Sequence, residues 1–407
     1  MVALAAPGDR VRVRIDRIKG NVAFASIEEV IEPSPARVEP PCPYFGRCGG
    51  CDFQQLNYEA QIEAKSEIIR DCLRRIGGLA SVPEFSVTPA SNAWHYRSRA
   101  QWQYDAMRRE LGYFESGSRR VCDVVECAVL SPELQMELEL LRERIRQGAL
   151  PDDVRHFRAI TGDEEISIID DHGRDPRAEP SASAGGLPAV RDITRTIHGE
   201  RYRLNAASFF QANHDLTPAL IDSALGSEKG KTAIELYCGV GLFTLPLARR
   251  FEKVIGVEGD AAASEFARLN LAEANLTDVD IVSDDVAVWL ETLECAGLDG
   301  ALDHRRIPRR QLIRPQEIQS GVKAAALQSV DLLLLDPPRT GAESRVISGI
   351  LRLKPKRICY VSCDPATLAR DLKKLIGGGY EITHLAAFDM FPQTHHVETV
   401  AHLGLCA

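Results

Sequence analysis

The spacing of apolar and polar residues changes period along the chain, and each change predicts a different kind of element. Residues 8–31 alternate, with Val11, Val13 and Ile15 on one face and Arg10, Arg12 and Arg14 on the other, which predicts a half-buried antiparallel strand followed by a second. Two strands are too few for a complete small barrel, and the Pro-rich passage over 32–43 reads as a linker or turn. Helical spacing covers 58–76. Period two returns over 94–127 and predicts an antiparallel sheet with turns at Asp105-Ala106 and Ser116-Gly117. Residues 133–145 form a charged amphipathic pattern entered through Ser131 as cap and Pro132 in the first turn. Strand character resumes over 157–169, residues 171–188 read as an exposed loop, and a hairpin is centred on Gly199-Glu200.

Beyond Phe209-Phe210-Gln211-Ala212-Asn213 a helix begins near Asp215, and strands then alternate with helices. Apolar strands are expected at 232–236, 253–257, 279–282, 330–335 and 358–361, with late strands at 380–388 and 396–403. A basic, Pro-bearing insertion occupies 297–328. Repeated strand–helix units of this length predict an α/β fold with a doubly wound, mainly parallel sheet and helices on both faces.

A chain of 407 residues exceeds one core and fits two or three domains. The start carries no apolar run fit for a signal peptide, and no stretch approaches the length of a membrane span, so a cytoplasmic protein without membrane contact is expected. Eleven cysteines then point to reduced thiols, metal ligands or catalysis rather than disulfides. A net charge of -9 argues against a general nucleic-acid coat protein but allows a local grip on RNA. Arg97, Arg99, Arg108, Arg109, Arg119 and Arg120 interleave with Trp94, Tyr96, Trp102, Tyr104, Tyr113 and Phe114, as a base-stacking surface would. Arg305, Arg306, Arg309, Arg310 and Arg314 form a second basic group.

Candidate chemistry collects at the carboxyl ends of the later strands, where open α/β sheets bind ligands. Gly239 and Gly241 follow the first of them, in a G-x-G turn too short for a dinucleotide fingerprint but suited to a nucleoside such as S-adenosylmethionine. Glu258 ends the next strand, where an acid accepts ribose hydroxyls, and Asp336 precedes two stiffening prolines and Arg339. Cys363 closes the fifth strand at a tight turn, and a helix start with Arg339 nearby is expected to lower its pKa. His395, His396 and Glu398 supply a possible base. Separately, Cys42, Cys48 and Cys51 stand at C-x5-C-x2-C among glycines, with Cys72, Cys122 or Cys127 as a fourth ligand for zinc or an iron–sulfur cluster.

Those cysteines, FFQAN at 209–213, ELYCGVGLFTLPLA at 235–248, DPPR at 336–339, SCDPATLARDL at 362–372 and DMFPQTHHVE at 389–398 together resemble the bacterial RNA uracil-5-methyltransferases, in order and spacing from about residue 8 onward. The iron–sulfur branch acting on 23S ribosomal RNA is the nearest in pattern. The resemblance implies a truncated OB-like (TRAM-like) segment over 1–39, an iron–sulfur and RNA-binding domain over 40–207, and a Rossmann-like methyltransferase domain over 208–407. In the middle domain it implies a helix near 53–78 that packs on the catalytic domain. It further implies a [4Fe–4S] cluster on Cys42, Cys48, Cys51 and Cys127. S-adenosylmethionine would be held by Gln211, Tyr237, Gly239, Gly241, Glu258, Asp285 and Asp336, with Cys363 as nucleophile and Glu398 as base. The expected substrate is a uridine of 23S ribosomal RNA, flipped from a loop or bulge, and the expected state is a monomer. Transfer RNA methylation and a non-catalytic RNA-binding or ribosome-assembly role are the alternatives. Leu242, Asp364 and Gln393 depart from residues frequent in the family, respectively Asn, Asn and His.

Overall fold

The first alternation forms β1 (Arg10–Lys19) and β2 (Val22–Glu32), an antiparallel ribbon that turns at Gly20, where φ is +58°. Its apolar side is not half-buried as the pattern predicts: Ile15 and Ile18 are 59% and 69% exposed. Two strands supply no second layer, so a correct alternation finds nothing to pack against. This computed structural model describes residues 1–177, 191–297 and 329–406. Part of the expected loop at 171–188, nearly all of the insertion and the second arginine group lie outside the described residues.

Helix α1 (Tyr58–Arg75) is capped by Asn57, whose side chain accepts the Ala60 N–H at 2.9 Å. Its buried residues Gln61, Lys65, Ile69 and Leu73 recur every fourth position and make one stripe. The chain continues through β3 (Val87–Thr88), β4 (Arg99–Asp105), β5 (Glu110–Phe114), β6 (Val121–Asp123), α2 (Pro132–Arg146), β7 (His156–Thr161) and β8 (Ile166–Asp170). Excluding β3, these strands make a five-stranded antiparallel sheet in the order β6-β5-β4-β7-β8. Helix α2, capped by Ser131, lays Leu134, Leu138 and Leu141 against Trp102 and Phe157. Each such apolar side chain stabilises the fold by about 1.5–3 kcal/mol. The aromatic-rich stretch is therefore mostly core: Trp102 is fully buried, and Tyr96 and Tyr104 are 7% and 9% exposed. Its turn arginines, Arg108, Arg109, Arg119 and Arg120, face solvent together with Met107 and Phe114.

The strand expected over 157–169 is a hairpin, because Gly162 turns the chain between β7 and β8. The next hairpin, β9 (Ile193–Ile197) and β10 (Glu200–Leu204), turns at His198-Gly199 rather than Gly199-Glu200. Both turn residues have positive φ, 51° and 79°, as a two-residue connection between right-twisted strands demands.

The remaining elements are α3 (Thr217–Leu225), β11 (Gly230–Leu236), α4 (Thr244–Ala248), β12 (Phe251–Glu258), α5 (Ala261–Glu273), β13 (Val279–Ser283), α6 (Val286–Gly297), β14 (Leu332–Leu335), α7 (Ser344–Leu353), β15 (Arg357–Ser362), α8 (Pro365–Gly377), β16 (Tyr380–Phe388) and β17 (Glu398–Leu405). They build an eight-stranded sheet ordered β13-β12-β11-β14-β15-β17-β16-β3. The strands from β13 to β15 run parallel, and β17 is antiparallel to both neighbours. Alternate residues feed two cores: Leu332 and Leu334 enter one, Leu333 and Leu335 the other. The second core also takes Ile69 and Leu73 of α1 beside Leu368 and Leu372 of α8, while β3 extends the sheet beyond β16. Residues 58–88 thus pack with the parallel sheet, although they precede the five-stranded one in sequence. No helix among the described residues is long and apolar enough to cross a membrane.

Candidate active site

The parallel strands end on one edge, and their first turn is sharply folded. Tyr237, Gly239 and Gly241 take φ of 64°, 54° and 93°, a conformation costly for tyrosine and natural for the glycines. The turn brings the Gly239 N–H to Glu258 Oε2 at 2.9 Å, while the Asp260 N–H donates to Oε1 at 2.7 Å. Glu258 is thereby fixed at the edge of the cleft, its carboxylate aimed by backbone rather than by side-chain packing. Asp285 has a local structural duty, since its Oδ1 accepts the Ala287 and Val288 N–H groups at 3.0 Å each and opens α6. Gln211 is buried at the seam between the sheets, where the Ser98 N–H and hydroxyl both donate to Ala212 O at 2.9 Å.

Cys363 and Glu398 come together through strand register. Ser362 of β15 pairs with Thr399 of β17, so the next step of that antiparallel ladder places Cys363 opposite Glu398. Asp336, at the end of β14, and Arg339 complete the group, each acting electrostatically on both residues. Glu398 is 2% exposed, and its carboxyl is held well above the ordinary range first by burial and then by Asp336, against the pull of Arg339. Burial likewise pushes Asp336 up to about 7. Cys363 is half-buried, and its thiol is pushed up to about 12. That reverses the lowered pKa expected from sequence: desolvation and the Glu398 charge outweigh Arg339.

Glu235 belongs to the same acidic edge and was missed in the sequence. It is 1% exposed, accepts the Thr244 hydroxyl at 2.5 Å, and is pushed up to about 8 by burial, with Asp336 and Glu258 adding to the shift. Its signal was a charged residue inside the apolar strand TAIEL, which a buried parallel strand seldom carries. Phe209 is a second omission as an individual residue: it is 61% exposed, with the Arg99 guanidinium 5.5 Å from its ring. Of the two histidines, His395 bonds Asp52, whereas His396 is pushed down to about 4, by burial before Arg339.

The three departures find local explanations. Leu242 is buried in the core, and its backbone oxygen accepts the Tyr202 hydroxyl at 3.1 Å. Asp364 caps α8, accepting the Thr367 N–H at 2.8 Å. Asparagine caps as well, so Asp364→Asn is expected to leave thermal stability nearly unchanged, while Asp364→Ala costs about 1 kcal/mol in a denaturant titration. Gln393 is 2% exposed and bonded to α1.

Cys42, Cys48, Cys51 and Cys127 line one pocket with Arg97 and Tyr113. Cys122 instead takes a bond from Arg47 Nε at 3.3 Å, and Cys72 lies on α1 against the second core. Burial raises the Cys48 and Cys51 thiols to about 12 and about 11. The Arg97 charge opposes the shift at Cys51, the Gly50 N–H reaches Cys48 Sγ at 3.4 Å, and Arg97 Nε is buried without a hydrogen-bond partner. Among the described residues no three His, Cys, Asp or Glu side chains are grouped to hold a metal ion.

The family model described as tRNA (Uracil-5-)-methyltransferase matches residues 194–404. A protein of Alkalilimnicola ehrlichii named 23S rRNA (uracil(1939)-C(5))-methyltransferase RlmD is 33% identical, over 98% of this chain and 89% of its own. An uncharacterized RNA methyltransferase of Bacillus cereus is 30% identical, over 98% of this chain and 90% of its own. The crystal structure of the Pyrococcus abyssi tRNA (uracil-54, C5)-methyltransferase with S-adenosyl-L-homocysteine superposes with a TM-score of 0.70 at 26% identity, covering 99% of this chain and 95% of that one.

Proposed function

Because the chain belongs to the tRNA (uracil-5-)-methyltransferase family and is an RNA uracil-5-methyltransferase using S-adenosylmethionine, we propose that it methylates C5 of one uridine in 23S ribosomal RNA through a covalent bond from Cys363 to C6. The observation that supports the mechanism is the β15–β17 register, which ends at Ser362 and Thr399 and so brings the next residues, Cys363 and Glu398, close enough to act on each other electrostatically. Uracil C5 is too poor a nucleophile to attack a sulfonium methyl unaided. Addition of the Cys363 thiolate to C6 moves the C5–C6 electron pair into an enolate, and C5 then takes the methyl group while S-adenosylhomocysteine leaves. Glu398 accepts the C5 proton, and collapse of the enolate expels Cys363. Glu258 would receive the ribose hydroxyls, with Gln211, Tyr237, Gly239, Gly241, Asp285 and Asp336 completing the cofactor site. Phe209 offers a stacking face for a base flipped out of the RNA.

Electrostatics explains how a thiol raised by burial becomes reactive. Glu235, Glu258, Asp336 and Glu398 crowd the strand ends with acids, and the sulfonium of the cofactor adds the positive charge that favours their ionised forms and the thiolate. Thiolate grows as pH rises toward a raised pKa, so alkylation of Cys363 in the free protein should increase about tenfold per unit between pH 7 and 9. At fixed pH it should be faster with S-adenosylmethionine than with S-adenosylhomocysteine, whose sulfur is neutral and which occludes the site equally. Peptide mapping of iodoacetamide-treated protein reads both; equal rates with the two ligands would remove the proposed role of the sulfonium.

The pocket of Cys42, Cys48, Cys51 and Cys127 suits a [4Fe–4S] cluster in donor chemistry: four soft thiol ligands, with the unpaired Arg97 Nε and a backbone N–H available to offset thiolate charge. The cluster would tie these loops together. Anaerobically purified protein should be brown with charge-transfer absorption, and a colourless, zinc-containing protein would contradict this.

The ribosomal target rests on the 33% identical relative; the archaeal structural neighbour acts on transfer RNA. Mapping 5-methyluridine in both RNA pools of a deletion strain decides between them. Loss from 23S ribosomal RNA alone is expected, and loss from transfer RNA alone would transfer the assignment. A non-catalytic RNA-binding role is disfavoured by the paired Cys363 and Glu398.

A further inference from the structure

Glu398 is the first residue of β17, paired across the sheet with Phe388, the last residue of β16. The direction in which it enters the cleft therefore depends on the connection between them, residues 389–397. That connection is gripped from one side. Lys65 of α1 pairs with Asp389 and donates to Phe391 O at 3.0 Å, and both members of this ion pair are fully buried. Gln61, one turn earlier, accepts the Gln393 N–H at 2.9 Å and donates Nε2 to Gln393 Oε1 at 3.0 Å. Gln393 itself has φ +68°, a strained backbone that persists only where its surroundings enforce it. Its carbonyl accepts the Asp52 and Phe53 N–H groups at 3.1 and 3.0 Å. Asp52, next to Cys51, takes the His395 N–H at 2.9 Å and bonds the His395 ring. Tyr96 adds its hydroxyl to Pro392 O at 3.0 Å.

A buried ion pair is weak evidence for stability, since apolar residues of similar volume often replace it without loss. What it does impose, with the reciprocal glutamine pair, is a single placement of the connection. We propose that Asp52, Gln61 and Lys65 are positioning residues for the general base. They hold residues 389–397 so that Glu398 meets the C5 proton, and they govern proton removal rather than methyl transfer. This rests on the reaction proposed above. Cys363 reaches C6 from the end of β15, whose parallel pairing with β14 does not involve residues 389–397, so methyl transfer should survive a shift of the connection that misplaces Glu398.

Single-turnover reactions with uridine-5-tritiated RNA and methyl-labelled S-adenosylmethionine test this. Asp52→Asn alters a half-exposed side chain, and Lys65→Met with Asp389→Leu replaces the buried pair by apolar groups, so at least one variant is expected to fold. Methyl transfer should stay within about threefold of wild type while tritium release falls on the order of tenfold or more, as for a reacting group displaced by a fraction of an ångström. Methylated RNA held covalently through Cys363 should rise accordingly. Equal loss of both steps, or no change in either, in folded variants overturns the positioning role. A wild-type protein that transfers no methyl group to RNA overturns the underlying reaction instead, and so separates the two failures.

Discussion

Replacing Cys363 with alanine should eliminate turnover, with a loss on the order of 10,000-fold or more, because the thiolate that adds to C6 is removed. The same variant should form no denaturation-resistant complex with RNA. S-adenosylmethionine binding should survive, since the proposed cofactor turn at Tyr237 to Gly241 follows β11 and its partner Glu258 ends β12, with β14 between β11 and β15. Equilibrium dialysis for the cofactor and a denaturing gel for the RNA complex check the two halves. Residual turnover near the wild-type rate would mean that the thiol is a packed residue.

Glu398→Gln is expected to behave differently. Glutamine preserves volume and burial but cannot accept the C5 proton, so addition and methyl transfer should proceed while elimination stalls. Turnover should fall about 100- to 10,000-fold, and methylated RNA should accumulate on Cys363. There is also a stability consequence. A carboxyl whose pKa is raised by burial stabilises the fold while protonated and loses that contribution as pH rises through the raised value. The glutamine variant should therefore gain thermal stability relative to wild type at alkaline pH and little at pH 4. Stability identical to wild type at both pH values would place Glu398 in a more solvated position than its 2% exposure implies.

Much of the parallel sheet was readable because buried strands are short apolar runs closed by turns. Residues 380–388 were read with the bounds that β16 takes, and Cys363 stood out because one such run ended on it. The distance between Cys363 and Glu398 was not readable. It depends on which residue of β15 faces which residue of β17, a register set by packing across the sheet. The aromatic stretch failed for a related reason: alternation over Trp102 and Tyr104 says that one face is packed, but not whether its aromatics meet the protein's own core or an outside partner. Lys65 and Asp389 lie 324 residues apart, and in sequence each is an ordinary charge on a helix or in a loop. The lowered thiol pKa was expected from a helix start and Arg339 alone. Burial, and then the opposing carboxylates Glu398 and Asp336, act on Cys363 only after folding.

The central claim, a methylated uracil joined to Cys363, is tested most directly by trapping it. Glu398→Gln incubated with 23S ribosomal RNA and methyl-labelled S-adenosylmethionine, then digested with protease and nuclease, should yield the Cys363 peptide carrying one labelled 5-methyluridine nucleotide. A labelled nucleotide on another peptide, or labelled 5-methyluridine formed without any adduct when Cys363 is alanine, would contradict the account.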